Sequence, residues 1–148
     1  MDKKKESKVT KEIDPNGANK DTHAYMVMDT RFEVEKKYEI IDLIGYGAYG
    51  VVVAAKDTSL PQAEGGESNL VAIKKIVKAF DHRVFSLRTY RELKIQRLLE
   101  HENVLGIKRI LKPKNRETFN EIYVVSELME TDLAQIIKSN QQLTDDHI

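Results

Sequence analysis

Two stretches of this sequence carry residue types and spacings suited to chemistry on a phosphate. Residues 43–53 read LIGYGAYGVVV, with Gly45, Gly47 and Gly50 in a G-x-G-x-x-G pattern between two apolar runs. Lacking Cβ atoms, such a loop lets backbone N–H groups approach phosphate oxygens. Residues 71–75 read VAIKK. On a strand, Ala72, Lys74 and Ile76 share one face, and an ammonium on a partly apolar face calls for an anionic partner. Glu92 is the candidate acid, because Arg88, Glu92 and Gln96 fall on one helical face at i, i+4 spacing. Each signal alone has an ordinary account of equal weight. The glycines fit a plain hairpin turn. Lys75 shares the other strand face with Val71 and Ile73, so periodicity does not choose between the two lysines. Glu92 pairs as well with Arg88 on a solvated face.

The elements around these residues narrow the choice. In a dinucleotide-binding unit the glycine pattern opens a helix, with an acid about 20 residues on. Here Val51, Val52 and Val53 follow, which favour a strand, so a dehydrogenase fragment is a remote alternative. The remaining use is a hairpin whose tip covers nucleotide phosphates. Strands are expected over residues 32–44, 51–55, 70–77, 104–111 and 121–128, with a loop over 56–69. A helix is expected over 81–101, capped by Asp81, with Ile95, Leu98 and Leu99 at helical spacing. A short helix should start near Asp132. Residues 143–148 read as a further helix start with Thr144 as cap. The chain ends in that first turn, so we expect a piece of a longer protein.

Composition removes other classes. The 24 basic and 24 acidic residues cancel, so no global field favours nucleic acid or a membrane surface. There is no cysteine, which excludes disulfides and thiolate metal sites. No apolar run approaches the ~20 residues that span a bilayer. Residues 1–30 hold few apolar side chains and no signal-peptide pattern, and read as a disordered tail.

In order, GYGAYGVV from Gly45, VAIKK from Val71, REL from Arg91, HENV from His101 and SELMETDL from Ser126 resemble the N-lobe of eukaryotic protein kinases. RTYREL, HENVLGI, LMETDL and LTDDHI resemble the mitogen-activated protein kinases in particular. The resemblance runs from about Phe32 to Ile148. It implies an α+β fold: a five-stranded antiparallel sheet with one main helix over residues 31–128, then a hinge and the start of a helical C-lobe over 129–148. It also implies ATP as cofactor. Gly45, Tyr46, Gly47, Ala48, Tyr49 and Gly50 would cover the phosphates, and Lys74 would contact them, held by Glu92. Ile44, Val52 and Ala72 would pack on the adenine. Ser126 falls at the gatekeeper position, where a small side chain should open a back pocket. Glu127 and Met129 would hydrogen-bond the adenine edge, and Asp132 would face the ribose. Arg88 and Arg91 match arginines that read a phosphorylated threonine. Gln96 stands where the family usually places a leucine.

The resemblance further implies a serine/threonine kinase of the cytoplasm or nucleus, with protein substrates and an upstream activating kinase as partners. The kinase base and Mg²⁺ ligands belong to H-R-D-x-x-x-x-N and D-F-G motifs, and neither occurs in these 148 residues. The expectation is therefore an ATP-binding lobe that does not transfer phosphate alone, with catalytic and metal-binding residues lying in C-lobe sequence. A genuine short nucleotide-binding or decoy module is the alternative.

Overall fold

The computed structural model describes residues 9–12, 21–47, 50–60, 69–113, 115–117, 119–141 and 144. Among the described residues eight strands and two helices follow in chain order: β1 (Val9–Glu12), β2 (Thr22–Val27), β3 (Thr30–Glu35), β4 (Tyr38–Gly47), β5 (Gly50–Asp57), β6 (Leu70–Ile76), α1 (Arg83–Leu98), β7 (Ile107–Ile110), β8 (Ile122–Glu127) and α2 (Leu133–Lys138). They form a three-stranded sheet, β1-β2-β3, and a five-stranded sheet in the order β4-β5-β6-β8-β7. All pairings are antiparallel. The five-stranded sheet with one main helix is the expected kinase-like architecture.

Strand alternation gives that sheet two different faces. Val51, Val53, Val71, Ile73 and Val125 point one way and meet Phe32, Val34, Tyr25 and Val27 of the smaller sheet in one buried cluster. On the other side, Ile76 and Val124 pack with Phe85 and Leu93 of α1 in a second cluster. The larger sheet therefore lies between the N-terminal sheet and the helix.

The expected disordered tail over residues 1–30 is corrected for the part described. Residues 9–12 and 22–27 are strands, and Tyr25 and Val27 are buried. Local composition hid this because their apolar partners, Val51 and Val53 among them, lie far along the chain. Residues 1–8 and 13–20 of that tail lie outside the described residues.

The expected strand over residues 32–44 is also corrected, being two strands in different sheets. Phe32, Val34, Tyr38 and Ile40 keep one parity and are all buried. The turn at Lys36 and Lys37 folds the two halves onto one core. Its backbone is tied by Lys36 N–H to the Asp21 carbonyl (3.0 Å) and Thr58 N–H to the Lys37 carbonyl (2.8 Å).

Helix α1 begins later than expected, with His82 as N-cap and no side-chain cap. Asp81 instead accepts a hydrogen bond from Asn120 Nδ2 at 2.9 Å, tying the helix start to the approach to β8. The face that packs on the sheet carries Phe85, Thr89 and Leu93, spaced by four. Ile95, Leu98 and Leu99, which mark the helical spacing in the sequence, are exposed. Of the helix start expected over 143–148, all but Thr144 lies outside the described residues.

Candidate functional site

The two faces of β6 resolve the choice between adjacent lysines. Lys74 sits opposite Val52 on β5 and Val124 on β8, and Val52 sits opposite Gly45 on β4. A row Gly45–Val52–Lys74–Val124 thus crosses four strands on the helix side of the sheet. Lys75 sits opposite Val51 and Tyr123, on the side of the N-terminal sheet.

Lys74 Nζ donates to Glu92 Oε1 at 2.7 Å. Glu92 therefore reaches the strand lysine, the partner that helical spacing alone left open. Both side chains keep access to water, with 33% and 41% of their surfaces exposed. The pair can thus hold an ammonium in place while leaving it N–H donors for an anion. A small void beneath the pair is lined by Lys74, Ile76, Phe85, Arg88, Thr89 and Glu92. Thr89 is the buried residue of α1 and went unnoticed in the sequence. Its signal was its place, one turn before Glu92 on the same face.

The glycine loop is the hairpin between β4 and β5, with Gly47 opposite Gly50. Because a strand follows Gly50, the dinucleotide alternative lacks its helix. A Cβ on Gly47 would meet nothing within 4 Å, so space opens beside the backbone at that point. Gly50 differs: its φ is +130°, and a Cβ there would lie 2.0 Å from the Lys75 carbonyl oxygen. Tyr46 is exposed; Ala48 and Tyr49 lie outside the described residues.

Beside this row runs a second one, Ala54–Ala72–Ser126–Ile107. Ala72 is buried and Val52 and Ser126 are half-buried, giving a smooth apolar patch next to Lys74. Ile44 borders it at a register shift in β4 and is exposed, as a bulge residue re-aimed out of the ladder would be. Glu127 ends β8 and Met129 follows it, both exposed. Asp132 caps α2, its carboxylate accepting from Gln135 N–H at 2.8 Å. The structure thus brings Gly45, Val52, Ala72, Lys74, Glu92 and Ser126 together on one surface, with Met129 and Asp132 on the segment leading away from it. Gln96 is half-buried on α1.

Residues 38–148 match the protein kinase domain family. The chain belongs to that family. Within it, the chain is similar to mitogen-activated protein kinases. It is 52% identical over 124 residues to mitogen-activated protein kinase 6 of Oryza sativa subsp. japonica, covering 83% of this chain and 31% of that protein. It is 50% identical over 127 residues to extracellular signal-regulated kinase 1 of Dictyostelium discoideum, covering 86% of this chain and 23% of that protein. With mitogen-activated protein kinase 4 of Oryza sativa subsp. japonica it shares 48% over 134 residues, covering 90% and 34%. The kinase chain spans about a quarter to a third of the length of these curated relatives. Among its described residues, no helix is long and apolar enough to cross a membrane, and no group of three or more His, Cys, Asp or Glu is placed to hold a metal ion.

Proposed function

We propose that the chain is the ATP-binding lobe of a serine/threonine protein kinase, which transfers the γ-phosphate of ATP to protein hydroxyls when a C-lobe completes it. The Lys74–Glu92 pair at 2.7 Å carries this reading. It joins the strand beside the glycine hairpin to the helix, where an ammonium can meet phosphate oxygens. Gly47 leaves room for a phosphate against the backbone. Val52, Ala72 and Ile44 offer the adenine an apolar surface, with Ser126 at its edge. Glu127 and Met129 then offer backbone groups to the base and Asp132 a carboxylate to the ribose. ATP supplies the transferable phosphoryl group; these residues bind and orient it.

Among the described residues no group of three or more His, Cys, Asp or Glu is placed to hold a metal ion, and the sequence holds neither H-R-D-x-x-x-x-N nor D-F-G. In this reading the base, the metal ligands, the protein substrate groove and the contact with an activating kinase all belong to the C-lobe. The whole kinase works in the cytoplasm or nucleus.

Calorimetric titration of the chain with Mg·ATP tests the reading. The wild type should bind, and Lys74→Met should weaken binding while Lys108→Met, on exposed strand β7, should not. A folded wild-type chain that binds no ATP would sink it. No phosphate transfer to protein is expected from the 148 residues.

One observation favours a second reading, a short non-catalytic module acting through its open surface. Leu133 and Ile137 project from α2 with 69% and 64% of their surfaces exposed, and such apolar patches mark interfaces. A native transcript with a stop codon directly after Ile148 would support that module, and a continuing reading frame would remove it.

A further inference from the structure

Lys75 is a buried charged side chain that the phosphate site leaves unused. Its side chain is only 3% exposed, on the sheet face that packs against the N-terminal sheet. Nζ donates to the Arg31 carbonyl on β3 and pairs with Glu121 Oε1 at 2.8 Å. It also stands 5.8 Å from the Phe32 ring and 5.3 Å from the Tyr123 ring, within cation–π range. Tyr123 closes the cage. Its hydroxyl accepts from Glu33 N–H at 3.2 Å and donates to Glu121 Oε2 at 3.3 Å, and its ring meets Phe32 edge-on at 5.9 Å. One buried ammonium thus ties β3 to β6 and β8.

The backbone of the same residue touches the glycine loop. The Lys75 carbonyl oxygen occupies the space where a Gly50 side chain would begin. Lys74, one step back along β6, faces the helix and Glu92. Because a buried cation stripped of its partners is costly, Lys75 must follow any movement of the N-terminal sheet. Packed strands pass such a shift on rather than absorb it.

We propose that Lys75 is a positioning residue: it couples docking of the N-terminal sheet to the placement of Gly50 and Lys74, so that this sheet sets nucleotide affinity. The proposal rests on the nucleotide reading above. No local feature of the VAIKK stretch distinguishes the two roles of its lysines.

The test uses the full 148-residue chain and two substitutions, Lys75→Met and the milder Glu121→Gln at the exposed end of the cage. Amide hydrogen exchange and the Kd for Mg·ATP are read together. In Lys75→Met, exchange should quicken over residues 22–35 and also at 50–53, with 71–73 unchanged. The Kd should rise about fivefold or more, the lower end of ordinary coupling between sites. Glu121→Gln should shift both readouts in the same direction by less, and it decides the matter if Lys75→Met does not fold. Faster exchange confined to residues 22–35 with an unchanged Kd would overturn the proposal, leaving Lys75 as a simple tie between sheets. Uniform acceleration that includes 71–73 would overturn it as well. Exchange at 50–53 judges the coupling even in a chain that binds no ATP, an outcome that sinks only the nucleotide reading.

Discussion

A side chain on Gly50 would begin 2.0 Å from the carbonyl oxygen of Lys75. The last glycine of the loop is therefore fixed by the strand beside it, and the middle glycine is not. Gly50→Ala must move backbone and hold a non-glycine residue at φ +130°. It should cost about 3 kcal/mol or more, since strain and overpacking each run to a few kcal/mol. Gly47→Ala meets nothing and should change stability by less than about 0.5 kcal/mol, yet weaken ATP binding by narrowing the approach to the backbone. Denaturant unfolding of both variants checks the pair. Equal stability losses would show that the loop has no such division of roles.

Lys74→Met separates binding from folding. With both partners of its ion pair over a third or nearly a third exposed, the pair contributes at most about 1 kcal/mol to stability. Contacts to a charged phosphate are stronger, about 1.5–3 kcal/mol each, which is about ten- to a hundredfold in Kd. Thermal unfolding should therefore barely shift while ATP affinity falls by that factor. A large drop in Tm with unchanged affinity would assign Lys74 to the core instead.

These contrasts also mark what the sequence could reveal. Strands β5, β6, β7 and β8 of the main sheet were legible as short runs, but β4 was merged with β3, because the apolar parity of Phe32, Val34, Tyr38 and Ile40 runs unbroken through the turn. The Lys74–Glu92 pair was visible only as one of two equal options, since spacing along β6 and α1 does not say which face meets which. That information lies in the register Val52–Lys74–Val124, a non-local property. The same cause hid strands β1 and β2, whose Val9, Tyr25 and Val27 look too sparse until Val51 and Val53 cover them. The exposure of Ile95, Leu98 and Leu99 was hidden too, because their spacing fits a buried stripe as well as an open one.

The cap made by Asp132 and the ribose contact proposed for it can be tested apart. As the N-cap of α2 its carboxylate accepts from Gln135 N–H, a contact whose loss costs about 1 kcal/mol. Asp132→Ala should therefore speed exchange of the Gln135 amide. Asp132→Asn keeps a capping oxygen and should spare that amide. If Asp132 also faces the ribose, both substitutions should weaken ATP binding relative to its 2′,3′-dideoxy analogue. An affinity difference that survives Asp132→Ala would remove the ribose role and leave the cap.

His23 should make stability depend on pH. Burial lowers its pKa below the ordinary 6.5, helped by repulsion from Lys11 and Lys36 and opposed by Glu39. Its Nδ1 is buried with no hydrogen-bond partner among the described residues, and its ring meets Tyr25 edge-on at 6.2 Å. The folded chain thus holds His23 neutral at pH values where the unfolded chain already binds a proton. Stability from this group is fully present above about pH 6.5 and falls as pH drops below it, levelling off under the folded-state pKa. The slope can reach at most about 1.4 kcal/mol per pH unit. Other groups titrate in the same range, so the measurement is the difference in unfolding free energy between wild type and His23→Gln. That difference should move against the wild type as pH falls from 7 toward 5. A flat difference would mean that His23 titrates alike in both states, and a reversed slope would mean that folding stabilises the imidazolium.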